Sequence, residues 1–517
     1  MTKVRHAVIL AAGAATRFVP LSLEQPKGLF SVGGQRLIDR QIEQLKEAGI
    51  DDITVVLGYK KEMFSYLSEK YGVRLVDNPR YNITNNIDSL LCAADYLEDS
   101  YICSCDDYFT ENPFNTEEEH SFYAGEEVDF ASKEMFVSVD HSGRITRMEK
   151  GRKRGKILLG HSFWTAEFAR KFILAAKSDK EGKYSQSYWE WLVRDYLQVL
   201  PPFYFKQYPQ GKIFEFDFFE ELRAFDSDYI ADSRSRIIDN IKSVFSCSDA
   251  DITDFRKISE GLTNTSFIFR VDGKDYIYRH PGDGTEKIID RTHEKRSLEK
   301  AKELGIDPTY IYLDEREGWK ISWYVPEFRE PDYASDEDSS RVLAVLRELH
   351  SSPVKLDWGL KPWEDSLEIE KLLEAKSPGC FAPYLELKER IGRLYEKTLG
   401  DGVGPCFCHG DTYRHNWMFR PDGSVILIDW EYSGCSDPGI DVGYYIVDAM
   451  YDRTKAKAFI REYLKESWTP VLEEHYLIYT ALIAWYWFVW ALYRESCGAT
   501  VGESLGNWLE MAKYYSK

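Results

Sequence analysis

The sequence is short of several features that would fix its class at once. Its nine cysteines include no Cys-x-x-Cys pair and no regular spacing, which argues against zinc ribbons and disulfide frameworks and for core thiols in a reducing compartment. Cys103/Cys105 and Cys406/Cys408 each stand two apart on expected strands, so each pair shares a sheet face. Basic residues are not in excess: a net charge of −20 and a pI near 5.1 exclude a surface built for nucleic acid. There is no low-complexity linker and no internal repeat. Residues 1–10 run straight into an apolar strand without a signal-peptide pattern, so the expected location is cytoplasmic. One long uncharged run, Tyr476 to Tyr493, approaches the length of a membrane span. Its eight aromatic residues favour a buried helix over stable membrane insertion.

What is present is ordinary for globular protein, with 44% hydrophobic and 29% charged residues. At 517 residues the chain is too long for one core and calls for several domains. The strongest local pattern is Cys408-His-Gly-Asp-Thr-Tyr-Arg-His-Asn-Trp-Met, followed by the strand-like run ending in Asp429. His409, Asp411 and Asn416 form H-x-D-x(4)-N, with Asp429 thirteen residues beyond Asn416. Phosphoryl transfer needs a carboxylate to orient the attacking hydroxyl and oxygen ligands for Mg²⁺ on the phosphates. Asp411 suits the first task, Asn416 and Asp429 the second. Protein kinases divide the labour in the same way. The expectation is a small-molecule kinase.

The N-terminal half opens with a buried strand, Val4 to Leu10, then Ala11-Ala-Gly-Ala-Ala-Thr-Arg17 and Gln25-Pro-Lys27. Such a strand and loop set the backbone N–H groups of Leu10, Ala11, Ala12 and Gly13 around phosphate. Arg17 and Lys27 add positive charge there. Leu37 to Gly49 reads as an amphipathic helix, Ile53 to Leu57 as a strand and Glu62 to Tyr71 as a helix. This alternation predicts a doubly wound parallel sheet. Tyr101 to Asp107 is a strand ending in two acids, which makes Asp106 a candidate Mg²⁺ ligand, with Asp217 in Phe-Glu-Phe-Asp as its partner.

These motifs resemble the nucleotidyltransferases of sugar and alcohol phosphates, whose signature is L-A-A-G-x-G-x-R followed by P-K. Ala15 stands where that family has its second glycine, which restricts φ. The run from Ala7 through Gly58, with Asn85-Asn86, Gly160 to Trp164 and Ser187 to Glu190, is similar to bacterial choline-phosphate cytidylyltransferases. The resemblance implies attack of a phosphocholine oxygen on the α-phosphorus of CTP, assisted by Lys27, Arg17 and Mg²⁺. A quaternary ammonium is recognised by aromatic faces and carboxylates, which points to Tyr188, Trp189 and Glu190. Met135 and Asp88 stand where these relatives carry aromatics, a change that would suit a primary ammonium such as phosphoethanolamine.

In the C-terminal half, Ile258 to Arg270 predicts two strands joined by a phosphate-covering loop containing Gly261, Thr263 and Asn264. Arg279 lies on the next strand, and Glu294 at the start of a helix could anchor it. This order resembles choline and ethanolamine kinases of the aminoglycoside phosphotransferase superfamily, a resemblance that implies Ser322 to Glu327 as the hinge strand over adenine. That likeness implies a cation–π box from Trp487 and Trp490, with Glu431 as the balancing charge. The expected architecture is α/β throughout: a doubly wound, Rossmann-like nucleotidyltransferase domain over 1–240, then a bilobal, protein-kinase-like α+β domain over 241–517. The expected function is phosphorylation of choline by ATP, then transfer of CMP from CTP to phosphocholine, with Mg²⁺ as cofactor. The alternatives are the same steps on ethanolamine, or a sugar-phosphate nucleotidyltransferase fused to a small-molecule kinase.

Overall fold

The computed structural model describes residues 1–517 except 153, 180–181, 259–263, 283–288 and 499–500, and the side chain of residue 152. The chain divides into two compact units, Met1–Lys257 with Arg270–Asp272, and Ile258–Phe269 with Gly273–Lys517. Residue 240, where the sequence suggests a join, lies within the helix Arg236–Phe245.

The first unit is built on strands β1 (His6–Ala11), β2 (Ile53–Leu57), β3 (Arg74–Asp77) and β4 (Ser100–Ser104). They lie in the order β4-β1-β2-β3 and are all parallel. The period-two alternation of these strands decides the layering. Val8, Val56 and Ile102 face one layer with Ile87, Leu90, Phe168 and Trp189. Ala7, Ile9, Val55, Leu57, Tyr101 and Cys103 face the other, with Ile38, Ile42 and Leu45 of helix α1 (Leu37–Glu47). A sheet covered on both faces needs apolar residues at every position, which is why the strands read as continuous hydrophobic runs.

The doubly wound pattern covers only these four strands. Beyond β4 the sheet continues through β5 (Ser132–Val139), β6 (Ile145–Arg152) and β7 (Gly155–Trp164), in the order β6-β5-β7-β4. These additions are antiparallel: β5 pairs with β6 across a short turn and with β7, and β7 pairs with β4. The helix expected from Glu62 to Tyr71 is split into a 3₁₀ turn, Lys61–Phe64, and the helix Tyr66–Tyr71.

In the second unit β8 (Asn264–Val271), β9 (Lys274–Pro281), β10 (Tyr310–Leu313) and β11 (Lys320–Trp323) lie in the order β8-β9-β11-β10. Helix α2 (Arg291–Glu303) follows β9, with the Asp290 carboxylate accepting the Thr292 and His293 N–H groups as its N-cap. The remainder is largely helical. Helix α3 (Gly439–Asp448) and helix α4 (Pro470–Ser496) carry most of its core. Every residue of α4 from His475 to Ala491 is buried. The helix is long and apolar enough to cross a membrane, but 89% of its most apolar window is buried inside the fold, as expected for a helix apolar on all sides. It is not the last helix: α5 (Glu503–Tyr515) follows and packs on it. All nine cysteines are free thiols, with Cys406 and Cys408 Sγ 3.7 Å apart.

Candidate active sites

In the first unit the loop leaving β1 is tied down by backbone bonds, Tyr59 N–H to the Ala12 carbonyl and Phe18 N–H to the Ala15 carbonyl. Ala15 has φ +47°, the left-handed region that glycine adopts freely. The loop therefore keeps the backbone path of a glycine, carried by an alanine. Gly13 and Arg17 stay exposed, whereas Lys27, opening a 3₁₀ turn, is 8% exposed.

The expected phosphate cations and metal carboxylates meet pairwise. Lys27 Nζ lies 2.6 Å from Asp106 Oδ2, and Arg17 holds Asp217 through both guanidinium nitrogens at 2.9 and 3.1 Å. Asp217 is set by Glu221, whose carboxylate accepts the Asp217 and Phe218 N–H groups. Burial would lower the ammonium pKa of Lys27, but Asp106 and Glu215 raise it overall, so the lysine is charged.

Glu215 is the residue the sequence reading passed over. It sits opposite Asp107 in the ladder joining Asp107–Phe109 to Ile213–Glu215. Although Glu215 keeps solvent contact, protein atoms crowd its carboxyl, and this desolvation, reinforced by Asp106, pushes its pKa up to about 8. Burial also raises Asp107 well above the carboxylate range, with Asp106 and Glu215 adding repulsion. For Glu215, its position two residues before Asp217 in Phe-Glu-Phe-Asp was the one available signal. These oxygen-rich side chains fit a hard divalent ion such as Mg²⁺.

The candidate acceptor residues separate. Asn85 and Asn86 bond the segment before α6 (Trp189–Asp195), the Asn86 side chain accepting the Trp189 N–H at 2.8 Å. Tyr188 is 49% exposed beside the Arg17–Asp217 pair, but Trp189 turns into the core and stacks on Tyr123 at 5.1 Å. It supports the wall rather than lining it. Glu190 Oε1 accepts the Tyr123 hydroxyl at 3.0 Å, while Oε2 has no hydrogen-bond partner among the described residues, and burial lifts the pKa to about 7. Asp88 pairs with Arg80 at 3.4 Å, and Met135 packs against the core.

In the second unit the loop after Cys408 hangs from Asp441. The buried Asp441 carboxylate accepts the N–H groups of His409 and Gly410 at 2.8 and 2.7 Å and pairs with His350 at 2.9 Å. Gly410 has φ +84°, and a Cβ there would come within 2.4 Å of the Tyr432 carbonyl oxygen. Only glycine fits. Asn416 Nδ2 donates to the Asp411 carboxylate and carbonyl, both at 2.9 Å, fixing the orientation of the acid. Burial, then repulsion from Asp429, raises Asp411 well above the usual carboxylate pKa, which suits a proton acceptor. Asp429 itself has φ +70°, strain of a kind that collects at functional sites.

Arg279 grips Glu294 at 2.6 and 2.9 Å and reaches Asp429 at 3.3 Å. The carboxylates of Glu294, Asp429 and Glu431 have oxygens within 4.8 Å of one another, a donor set that fits Mg²⁺. Glu431 meets Arg291, Arg279 and Asn264 at 3.3, 3.6 and 3.2 Å, and its charge also acts on the Tyr432 hydroxyl. Burial, then Asp429, raises its pKa to about 7. Gly261 and Thr263 fall outside the described residues. Trp487 and Trp490 share a face of α4, their rings 5.3 Å apart. Tyr432, Tyr444 and Trp508 surround Trp487 at 5.0, 5.2 and 5.9 Å. Asp448, which the sequence did not single out, is half-buried within electrostatic reach of Tyr444, accepting the Tyr333 hydroxyl and the Arg414 N–H.

A nucleotide-phosphate loop with paired acids, and a kinase loop with an aromatic cluster, define two transferases. Residues 7–114 match the family model of the MobA-like NTP transferase domain, and residues 254–475 that of the phosphotransferase enzyme family. The chain belongs to the cytidylyltransferase-like nucleotidyltransferases through its N-terminal half, fused to a phosphotransferase of choline-kinase type. It is 37% identical to the choline-phosphate cytidylyltransferase of Streptococcus pneumoniae over 42% of this chain and 95% of that protein. It is 35% identical to the 2-aminoethylphosphonate cytidylyltransferase of Lancefieldella rimae over 44% of this chain and 93% of that one. Among solved structures, the choline kinase LicA of S. pneumoniae matches 55% of this chain and 99% of its own, at 28% identity and a TM-score of 0.49.

Proposed function

We propose that this chain phosphorylates choline with ATP and then transfers CMP from CTP to the phosphocholine, releasing pyrophosphate. Kinase chemistry is assigned to residues 241–517 and cytidylyl transfer to 1–240. The observation that carries the reading is the aromatic cluster of Tyr432, Tyr444 and Trp487 beside Asp411. Asp411 is near enough to act electrostatically on the Tyr432, Tyr444 and Tyr486 hydroxyls. An amino alcohol whose ammonium rests on these rings would bring its hydroxyl to the base. Glu431 acts on Tyr432, and Asp411 and Asp448 act on Tyr444, which together supply the negative potential a cation needs.

In the kinase step Asp411 orients the hydroxyl and takes its proton as the oxygen–γ-phosphorus bond forms and the bond to the β-phosphate oxygen breaks. Arg279 neutralises phosphate charge. Bound on Asp429, Asn416 and Glu431, Mg²⁺ would offset the charge of the leaving diphosphate. In the transferase step an oxygen of the phosphomonoester attacks the α-phosphorus of CTP, and Lys27 and Arg17 stabilise the charge building on the pyrophosphate. Asp106, Asp217 and Glu215 would hold the metal there. The product of one half is the acceptor of the other, which supports a single pathway.

A second reading, a primary ammonium substrate such as ethanolamine, is favoured by Glu190. Its unpartnered Oε2 could accept an N–H, which a quaternary ammonium lacks. Phosphorus NMR of the protein with Mg²⁺, ATP and CTP, given choline or ethanolamine in separate tubes, decides. A CDP-choline diphosphate signal with choline alone supports the first reading; the signal with ethanolamine alone replaces it by the second. A phosphoester without diphosphate leaves the kinase reading and refutes the transferase one.

A further inference from the structure

We propose that Lys320 is a second phosphate-binding cation of the kinase half, gripping the β- and γ-phosphates of the nucleotide beside Arg279. The inference rests on the kinase reading above and extends it, since the motifs end the cation set at Arg279.

Lys320 opens β11 directly opposite Arg279 of β9, so the two side chains leave the sheet on one face. Like charges placed opposite each other across a sheet repel, and a packing role at this position would be served better by a neutral side chain. Lys320 is 8% exposed, yet its ammonium makes only long ion pairs. The nearest carboxylate oxygens, on Glu294 and Asp429, stand at 3.8 and 3.9 Å, outside hydrogen-bond reach. Among the described residues it makes no hydrogen bond, so its three N–H donors meet only these two long ion pairs and solvent, on a side chain 10% exposed. Glu294 is already taken, with Arg279 on one oxygen at 2.6 Å and Arg291 on the other at 2.6 Å.

Charge points the same way. Arg279, Arg291 and Lys320 meet Glu294, Glu431 and Asp429, with the carboxyls of Asp307 and Asp411 also within electrostatic reach of the group. A divalent ion on Asp429 would take up part of the carboxylate charge that these cations now face. A ligand with several anionic oxygens next to Asp429 then gives Lys320 close acceptors, and the polyphosphate of a nucleotide has that chemistry.

The test compares full-length wild type with Lys320→Gln, Lys320→Met and Lys320→Arg. Equilibrium titrations use Mg²⁺ with a non-hydrolysable ATP analogue, and AMP in parallel. Steady-state rates are taken over a range of ATP. Losing charge-assisted phosphate contacts should weaken the ATP analogue and raise KM for ATP about tenfold or more in the Gln and Met variants. AMP affinity and KM for the amino alcohol should not change, and Lys320→Arg should recover most of the loss. Cytidylyl transfer by the same chains should be unaffected. Equal weakening of AMP and the ATP analogue, or no change in either, would overturn the proposal. A Gln or Met variant whose second unit melts early, with Lys320→Arg no better in ATP affinity, would also overturn it in favour of a structural lysine. Wild type that binds neither nucleotide would defeat the kinase reading instead.

Discussion

Asp441 holds His409 by its backbone: the buried carboxylate accepts the His409 N–H at 2.8 Å, thirty-two positions back along the chain. The same group takes the Gly410 N–H and the His350 ring, so the active loop and two helices share one acceptor. Replacing Asp441 by Asn removes the charge and half the acceptor capacity. The loss of such a buried network should cost about 3–5 kcal/mol in the second unit. Chemical denaturation should show the loss there, with kinase activity falling and cytidylyl transfer from supplied phosphomonoester retained.

Asp411→Asn keeps the shape of the catalytic acid and the bond from Asn416 but removes the proton acceptor. The kinase kcat should fall by about 10²–10⁴, the usual worth of general base catalysis. CMP transfer to added phosphocholine should continue at the wild-type rate. Loss of both activities in a folded variant would refute two independent sites.

Trp487 stacks on Tyr444 and meets Tyr432 edge-on. Trp487→Phe keeps the apolar packing of α4 and weakens the π-face. A desolvated cation–π contact is worth about 2 kcal/mol. KM for the amino alcohol should therefore rise roughly tenfold while KM for ATP stays put, as initial rates would show.

Ala15 carries φ +47° in the nucleotide loop. An alanine held in the left-handed region costs about 1 kcal/mol or more against glycine, offset in part by the greater chain entropy of glycine when unfolded. Ala15→Gly should leave the first unit as stable or more stable in thermal unfolding, and should not lower its CTP turnover.

His475 sits between Asp401 and Asp437, at 3.2 and 3.0 Å. Burial pulls its pKa down, but the hydrogen bond and charge of Asp437, then Asp401, outweigh it and leave the pKa raised. A raised folded-state pKa adds stability that is complete below the ordinary imidazole value near 6.5 and lost as pH climbs through the folded value. Urea midpoints of the second unit should therefore fall between pH 6 and pH 8, and fall less in His475→Asn.

Some of this was legible in the chain itself. The strand at His6–Ala11, the helix at Leu37–Glu47 and the strand at Ile53–Leu57 follow from local periodicity, because a covered sheet and a half-buried helix impose their patterns on neighbouring residues. Arg279 and Glu294, fifteen apart, could be paired from their order and do meet. Trp189 could not be placed, since being buried or lining a pocket depends on Tyr123, far away in sequence. The arginine partners of Glu431 were hidden for a related reason: its carboxylate pairs with Arg291, 140 positions away, while its charge also acts on Tyr432 of the aromatic cluster.

By itself, then, the sequence determined the two chemistries. Motifs such as Asp411 to Asn416, and the run from Ala11 to Lys27, are short because phosphate and metal ligands must arrive from one loop with fixed spacing. The tertiary structure alone decided which charge faces which. Lys27 against Asp106, Arg17 against Asp217, Glu215 among the acids and Lys320 opposite Arg279 are contacts between segments far apart in the chain. Electrostatic strength depends on distance and burial, and neither is written in the order of residues along the chain.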